Sequence, residues 1–224
     1  MEVSARIVTL ELAETFVISR SARDTEEVVV VELRHSGVSG FGEAQPIGRY
    51  DESAESALAY AEEHAELLGD DPFALEEVME RLPPREFAAR AAVDAALHDL
   101  QGKLLGQPVW RLLGGAKKTV PAYITFGLLD FDRDQLVEFA RQFLAEGQDK
   151  FKMVVAIDNG ENIAEDAARV AAVREAIGAN RDLMIDGNYL FSMNRALQLA
   201  RRVEQYDITW FEEPLYGNDA CLLA

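Results

Sequence analysis

Cysteine is nearly absent from this 224-residue chain: Cys221 is the single one, so no internal disulfide can form. A chain with one thiol and no cross-link suits a reducing compartment. Basic residues are also scarce, with 22 Lys and Arg against 40 Asp and Glu, a formal net charge of −18. Nucleic acid requires a basic footprint and an anionic membrane attracts a basic face, so neither is an expected partner. A small anionic substrate remains open, because a bound metal or a lysine pair outweighs the global field locally. No apolar run reaches the eighteen or so residues of a membrane span. The start, MEVSARIVTLELAE, lacks the basic head and apolar stretch of a signal peptide, so the cytoplasm is the expected location. The 49% hydrophobic content suffices for a sizeable core, in one large domain or two modest ones.

The first third reads as strands followed by helices. Residues 5–12 and 27–33 (EVVVVEL) are β-rich, with a polar stretch, 19–26, between them. Residues 35–40 have turn chemistry, and GFGEAQP ends a third strand. SAESALAYAEEHAELL has helical periodicity behind the capping candidates Asp51, Glu52 and Ser53. PREFAARAAVDAALHDLQGKLLG reads as an alanine-rich helix stopped at Gly106.

From Pro121 the rhythm becomes strict alternation. Strands PAYITFGL, KFKMVVAI, LMIDGN and ITWFEEP each precede a helical stretch, the last beginning after Asn218 and Asp219. Such alternation predicts parallel βα units. The fold class is therefore α/β: an α+β domain over residues 1–118, then four βα units over 119–224. Four units are half of a closed (β/α)8 barrel. An open doubly wound sheet is the structural rival, although no glycine-rich phosphate loop follows any strand.

In parallel α/β folds, functional residues gather where strands end at their C-termini. Read in order, those ends give Lys150 and Lys152, then Asp186 and Asn188, then Glu212 and Glu213. Two carboxylates converging from adjacent strands repel unless a cation lies between them, and hard oxygen ligands suit Mg²⁺. Taken singly, Asp186 is as readily a helix cap and Glu212 a structural ion pair; their occurrence on neighbouring strands favours the metal. Strand alternation puts Lys150 and Lys152 on one face. Two ammonium groups beside a divalent cation disfavour each other's charge, which would leave one neutral near pH 7 and able to act as a base. Alone, KxK also fits a pair of solvated lysines.

These motifs resemble those of the enolase superfamily, in its mandelate racemase and muconate-lactonising branch. KFK matches the family's KxK, DGN its D-x-N and FEEP its E-[EQ]-P. DAALHDLQGKLLGQPVWRLLGG resembles the bridge from cap to barrel, and GFGEAQPIGRYDES the glycine-rich turn of the cap. The resemblance implies a capping domain over a (β/α)8 barrel, of which this chain would carry the first half. It implies that Mg²⁺ binds a substrate carboxylate, that a base removes the α-proton, and that the metal stabilises the enolate. Lys152 would be the base, Lys150 its electrostatic neighbour, Asp186 and Glu212 metal ligands, Asn188 and Glu213 supporting groups. The family's third carboxylate ligand and second acid/base come from later strands. The chain is thus expected to be a fragment, inactive alone, or one awaiting a missing C-terminal half-barrel. Multimeric relatives imply a homo-oligomer.

FVISRSARDTEEVVVVELRHSGVSGFGEAQPIGRYDES resembles the cap of the dipeptide epimerases, which makes Arg20 a candidate substrate contact; ITFGL adds Thr125. Racemisation or epimerisation is the implied reaction. Glu213 and Gly187 depart from the epimerase pattern, and FEEPLYGND is closer to sugar-acid dehydratases, so dehydration or racemisation of a sugar or hydroxy acid is the alternative. A catalytically incomplete metal- or partner-binding protein is a third reading.

Overall fold

The computed structural model describes residues 1–18, 21–115 and 117–215, with the side chains of residues 14, 16–18, 21–22 and 49 outside the description. The chain divides into two compact units, residues 1–13 with 24–120 and residues 14–23 with 121–224.

Three strands, β1 (Glu2–Ile18), β2 (Ser21–His35) and β3 (Val38–Ala44), form a sheet in that order, β2 and β3 antiparallel, and apart from residues 14–18 and 21–23 they belong to the first unit. The polar stretch expected to separate two shorter strands is largely strand itself. Alternation drives β2: Val29, Val31 and Leu33 are fully buried. They pack with Ala89, Ala92, Val93, Ala96, Leu97 and Leu100 of α3 (Phe87–Leu105). GFGEA ends β3, as the strand reading of GFGEAQP expects, and of the stretch likened to a turn residues 45–51 lie beyond the strand. Gly40 and Gly42 lie within β3 beneath α3, and a Cβ on Gly42 would meet the Ala92 carbonyl oxygen at 1.9 Å. Alanine on the helix and glycine on the strand together allow the two backbones to approach this closely.

The caps follow the sequence. Ser53 opens α1 (Ala54–Glu63) with a reciprocal pair of bonds to Ser56, and Gly106 closes α3 in the left-handed region. A short α2 (Leu75–Arg81) precedes α3, and α4 (Val109–Leu112) follows it.

The second unit is the expected parallel sheet, in order β4 (Ile124–Phe126), β5 (Lys150–Val154), β6 (Asp182–Asp186) and β7 (Ile208–Glu212). Helices α5 (Arg133–Ala145), α7 (Ile163–Ile177) and α8 (Met193–Val203) connect them. A four-residue turn, α6 (Ile157–Gly160), interrupted by left-handed Asp158 and Asn159, stands before α7. Phe126, Phe151, Met153, Leu183 and Ile185 face the helices and build the core with Leu136, Val170, Val173 and Leu199. The alternate residues point to the opposite face: Thr125, Lys152, Asp186 and Glu212. Hydrophobic period 2 thus assigns one face to packing and leaves the other for chemistry. Among the described residues no helix is long and apolar enough to cross a membrane.

Candidate active site

Parallel register carries the polar residues to one place. Thr125 pairs with Lys152, Val154 with Asp186, and Asp186 with Glu212. Lys152 Nζ donates to Asp186 Oδ2 at 3.1 Å and to Glu212 Oε2 at 2.8 Å. One ammonium therefore stands between two carboxylates from neighbouring strands. Lys152 is 7% exposed and Asp186 8%, so little water screens them.

KFK opens β5 rather than ending it. Lys152 still reaches the rim because its four-carbon stem spans the two-position offset to Val154, the register partner of Asp186. Lys150 stays one layer lower. Its Nζ meets Asp182 Oδ2 at 2.7 Å, with Asp149 Oδ2 at 3.9 Å. The two lysines share a face but not their partners. That alters the expected electrostatics, since each ammonium has carboxylates of its own. Burial pulls Lys152 downward, but its hydrogen bonds to Glu212 and Asp186 and their charges prevail and hold it above the usual lysine value. The hydrogen bond to Asp182 does the same for Lys150. In this arrangement neither lysine is neutral at pH 7.

Asn188 takes part through its main chain. Its N–H donates to Asp186 Oδ1 at 2.9 Å, which leaves Oδ2 for the cation. Asn188 and Tyr189 both have positive φ, 47° and 63°. The Glu213 carbonyl accepts from Tyr189 N–H at 2.8 Å, and the Glu212 carbonyl from Gly187 N–H at 2.9 Å. The segments after β6 and β7 are thus tied together beside the carboxylates. Thr125 lies exposed on the same sheet face as Lys152. Arg20 lies outside the described residues.

Three further residues belong to this face. The Tyr123 ring lies 5.3 Å from Lys152 Nζ, and Trp210 meets Tyr123 edge-on at 5.4 Å. Trp210 Nε1–H also donates to Glu212 Oε2 at 3.4 Å. Trp210 is 41% exposed and flanks the site. Asp182 is the third. The signal was period 2: Tyr123 and Trp210 precede Thr125 and Glu212 by two residues, and Asp182 precedes Asp186 by four, on the same strand face.

The donor set fits a magnesium ion. Two hard carboxylate oxygens already converge on one cationic atom, and Mg²⁺ is commonly held by one or two carboxylates, with its other positions left to water and substrate. Among the described residues no group of three or more His, Cys, Asp or Glu side chains could hold a metal.

Known proteins share this architecture. Residues 1–114 match the N-terminal domain of mandelate racemase and muconate lactonizing enzyme, and residues 135–223 match the enolase C-terminal domain-like family. A hydrophobic dipeptide epimerase of Enterococcus faecalis is 30% identical over 224 residues, 97% of this chain and 62% of the relative. An arabinonate dehydratase of Saccharolobus solfataricus is 30% identical over 215 residues, 90% of this chain and 56% of the relative. The crystal structure of the Enterococcus faecalis dipeptide epimerase, complexed with Mg and the dipeptide L-Leu-L-Tyr, superposes with a TM-score of 0.89 at 29% identity. It is covered to 62% by 99% of this chain. The chain spans less than two thirds of the length of these relatives. It belongs to the mandelate racemase and muconate lactonizing branch of the enolase superfamily.

Proposed function

We propose that this chain is the cap, residues 1–118, and the first four βα units, residues 119–224, of a magnesium-dependent enzyme that moves a proton on the carbon next to a carboxylate. Epimerisation of a dipeptide is the reading favoured among the family's reactions. The observation that carries it is the Lys152 ammonium set between Asp186 and Glu212 on adjacent parallel strands.

Asp186 and Glu212 hold the metal, Asp186 being oriented by the Asn188 N–H. Bound there, magnesium supplies positive charge for the negative charge that builds on the substrate as its α-proton leaves. Lys152 exchanges that proton, and its near-complete burial keeps bulk water from competing. Lys150, paired with Asp182, keeps a positive charge one layer below. Thr125 and Arg20 are the proposed substrate contacts, and the Glu213 carbonyl braces the segment after β6. Dehydration of a sugar acid is the second reading, favoured by Glu213 in FEEP and by the arabinonate dehydratase relative. We expect the 224 residues alone to bind the metal weakly and to turn over nothing, because they span 62% of the epimerase relative.

The test is α-deuteration in D₂O of a panel of dipeptides and sugar acids by the full-length gene product with Mg²⁺. Exchange at one α-carbon, abolished by Lys152→Ala, is the expected result. Undiminished exchange in that variant, or none in the wild type with any substrate, would overturn the reading.

A further inference from the structure

Among the described residues three charged side chains are buried outside the carboxylate–lysine cluster: Glu52, which accepts from the Phe87 and Ala88 N–H groups in the first unit, and two on α7. Asp166 is fully buried and Arg169 is 2% exposed. Three residues apart, they share one helix face. Helix α7 follows β5, so this N-terminal part of it stands at the strand ends that carry the site.

The two do not form a direct ion pair; each takes main-chain groups instead. Asp166 Oδ1 accepts from Ala156 N–H at 2.9 Å and from Ile157 N–H at 3.1 Å, catching the chain as it leaves β5. Arg169 donates from Nη2 to the Leu128 carbonyl at 3.1 Å and from Nη1 to the Phe131 carbonyl, in the loop between β4 and α5. The carboxylate thus satisfies donors of one loop and the guanidinium satisfies acceptors of the next. Ala156 is held at φ 83°, a conformation a non-glycine residue keeps only when its surroundings impose it. Asp166 Oδ2 and Arg169 Nε are buried with no hydrogen-bond partner among the described residues. Two charges kept in the interior with incomplete pairing are poor devices for stability alone.

We propose that Asp166 and Arg169 are positioning residues that set the two loops bordering the active site, residues 128–131 and 156–157, and through them the placement of Thr125 and Lys152. The catalytic half of this inference rests on the proton-transfer reading, but the loop-setting half does not. Arg174 provides the internal contrast. It lies on the same helix and donates to the carbonyls of Tyr206, Gly178, Arg181 and Asp207, at the opposite ends of the strands.

The experiment uses the full-length gene product in four forms: wild type, Asp166→Ala, Asp166→Asn and Arg174→Lys. Amide hydrogen exchange is followed by mass spectrometry, and α-proton exchange turnover is measured beside it. Asp166→Ala should speed amide exchange at least about tenfold in peptides covering 127–132 and 155–162, leaving β6 and β7 unchanged. Its kcat should fall about 10- to 100-fold, with KM within about threefold, the signature of a displaced reacting group. Asp166→Asn keeps an oxygen acceptor for both N–H groups and should restore both readouts. Arg174→Lys should lower the melting temperature without lowering kcat. The inference is overturned if Asp166→Ala leaves the loops protected, loosens the whole unit evenly, or lowers kcat no more than Arg174→Lys does. If the wild type exchanges no α-proton, the proton-transfer reading fails by itself, and amide exchange alone decides whether the pair holds the loops.

Discussion

Replacing Lys152 with methionine keeps the buried stem and removes the charge between the two carboxylates, so it isolates what that charge does. Asp186 Oδ2 lies 3.1 Å and Glu212 Oε2 2.8 Å from the same nitrogen, which puts the two oxygens no more than ~6 Å apart. At an effective dielectric of about 20, two like charges at ~6 Å repel by about 3 kcal/mol. A buried carboxylate also loses its partner in Asp186, whereas Glu212, about one third exposed, recovers part of its loss from water. The variant should therefore be about 3 kcal/mol less stable in EDTA, or ~6–12 °C lower in melting temperature for a chain of this size. The same two carboxylates, freed of the ammonium, are better placed for a divalent ion. Adding Mg²⁺ should raise the variant's melting temperature by more than it raises that of the wild type. Differential scanning fluorimetry with and without Mg²⁺ measures both effects. An unchanged melting temperature in EDTA would mean that the ammonium carries no such burden. Equal Mg²⁺ shifts in the two proteins would refute the claim that Lys152 and the metal answer the same pair of carboxylates.

Other expectations follow from packing and protonation. Gly42→Ala drives a Cβ into the Ala92 carbonyl and should destabilise the first unit by at least about 3 kcal/mol in urea titration, whereas Gly48→Ala, with open space around it, should be near neutral. Ala156→Gly relieves a left-handed non-glycine residue and should stabilise by about 1 kcal/mol, provided Asp166 still fixes the loop. Burial pushes the Asp166 carboxyl up to about 6, against the pull of the Ile157 and Ala156 N–H groups and of Arg169. Its folded value thus exceeds the unfolded one, so its contribution is complete below about pH 4 and is lost as pH rises through about 6. Asp166→Asn should accordingly gain about 3 kcal/mol on the wild type between pH 4 and pH 7, measured by denaturant unfolding at each pH.

Much of the architecture was legible because the signals are local. Strand–helix alternation after Pro121, the serine cap at Ser53 and the glycine stop at Gly106 each rest on a few neighbouring residues, and each is found where the pattern puts it. The length of β1 and β2 was not legible. Cross-strand pairing carries the strand through polar residues such as Asp24 and Glu26, which single-residue preference assigns to a loop. Why GFGEA carries glycines within its strand was not legible for a related reason. A turn and a close helix–strand contact both call for glycine, and only the alanines of α3, fifty residues later, distinguish the two.

The site shows the same division between local and distant signals. Motif spacing singled out Lys152, Asp186 and Glu212 as candidates, and the parallel register brings those three side chains together. It did not reveal that Lys150 belongs to Asp182, since that pairing depends on a register across 32 residues that no local pattern encodes. The consequence is chemical. With Asp182 neutralising Lys150, the positive charge beside Lys152 is already balanced, and the state of Lys152 is governed by Asp186 and Glu212. On the proposed reading, whatever occupies those two carboxylates would decide whether Lys152 holds its proton or releases it. On that reading the same pair of acids would grip the metal and set the lysine, so metal binding and proton transfer would be linked through shared atoms rather than through a conformational relay.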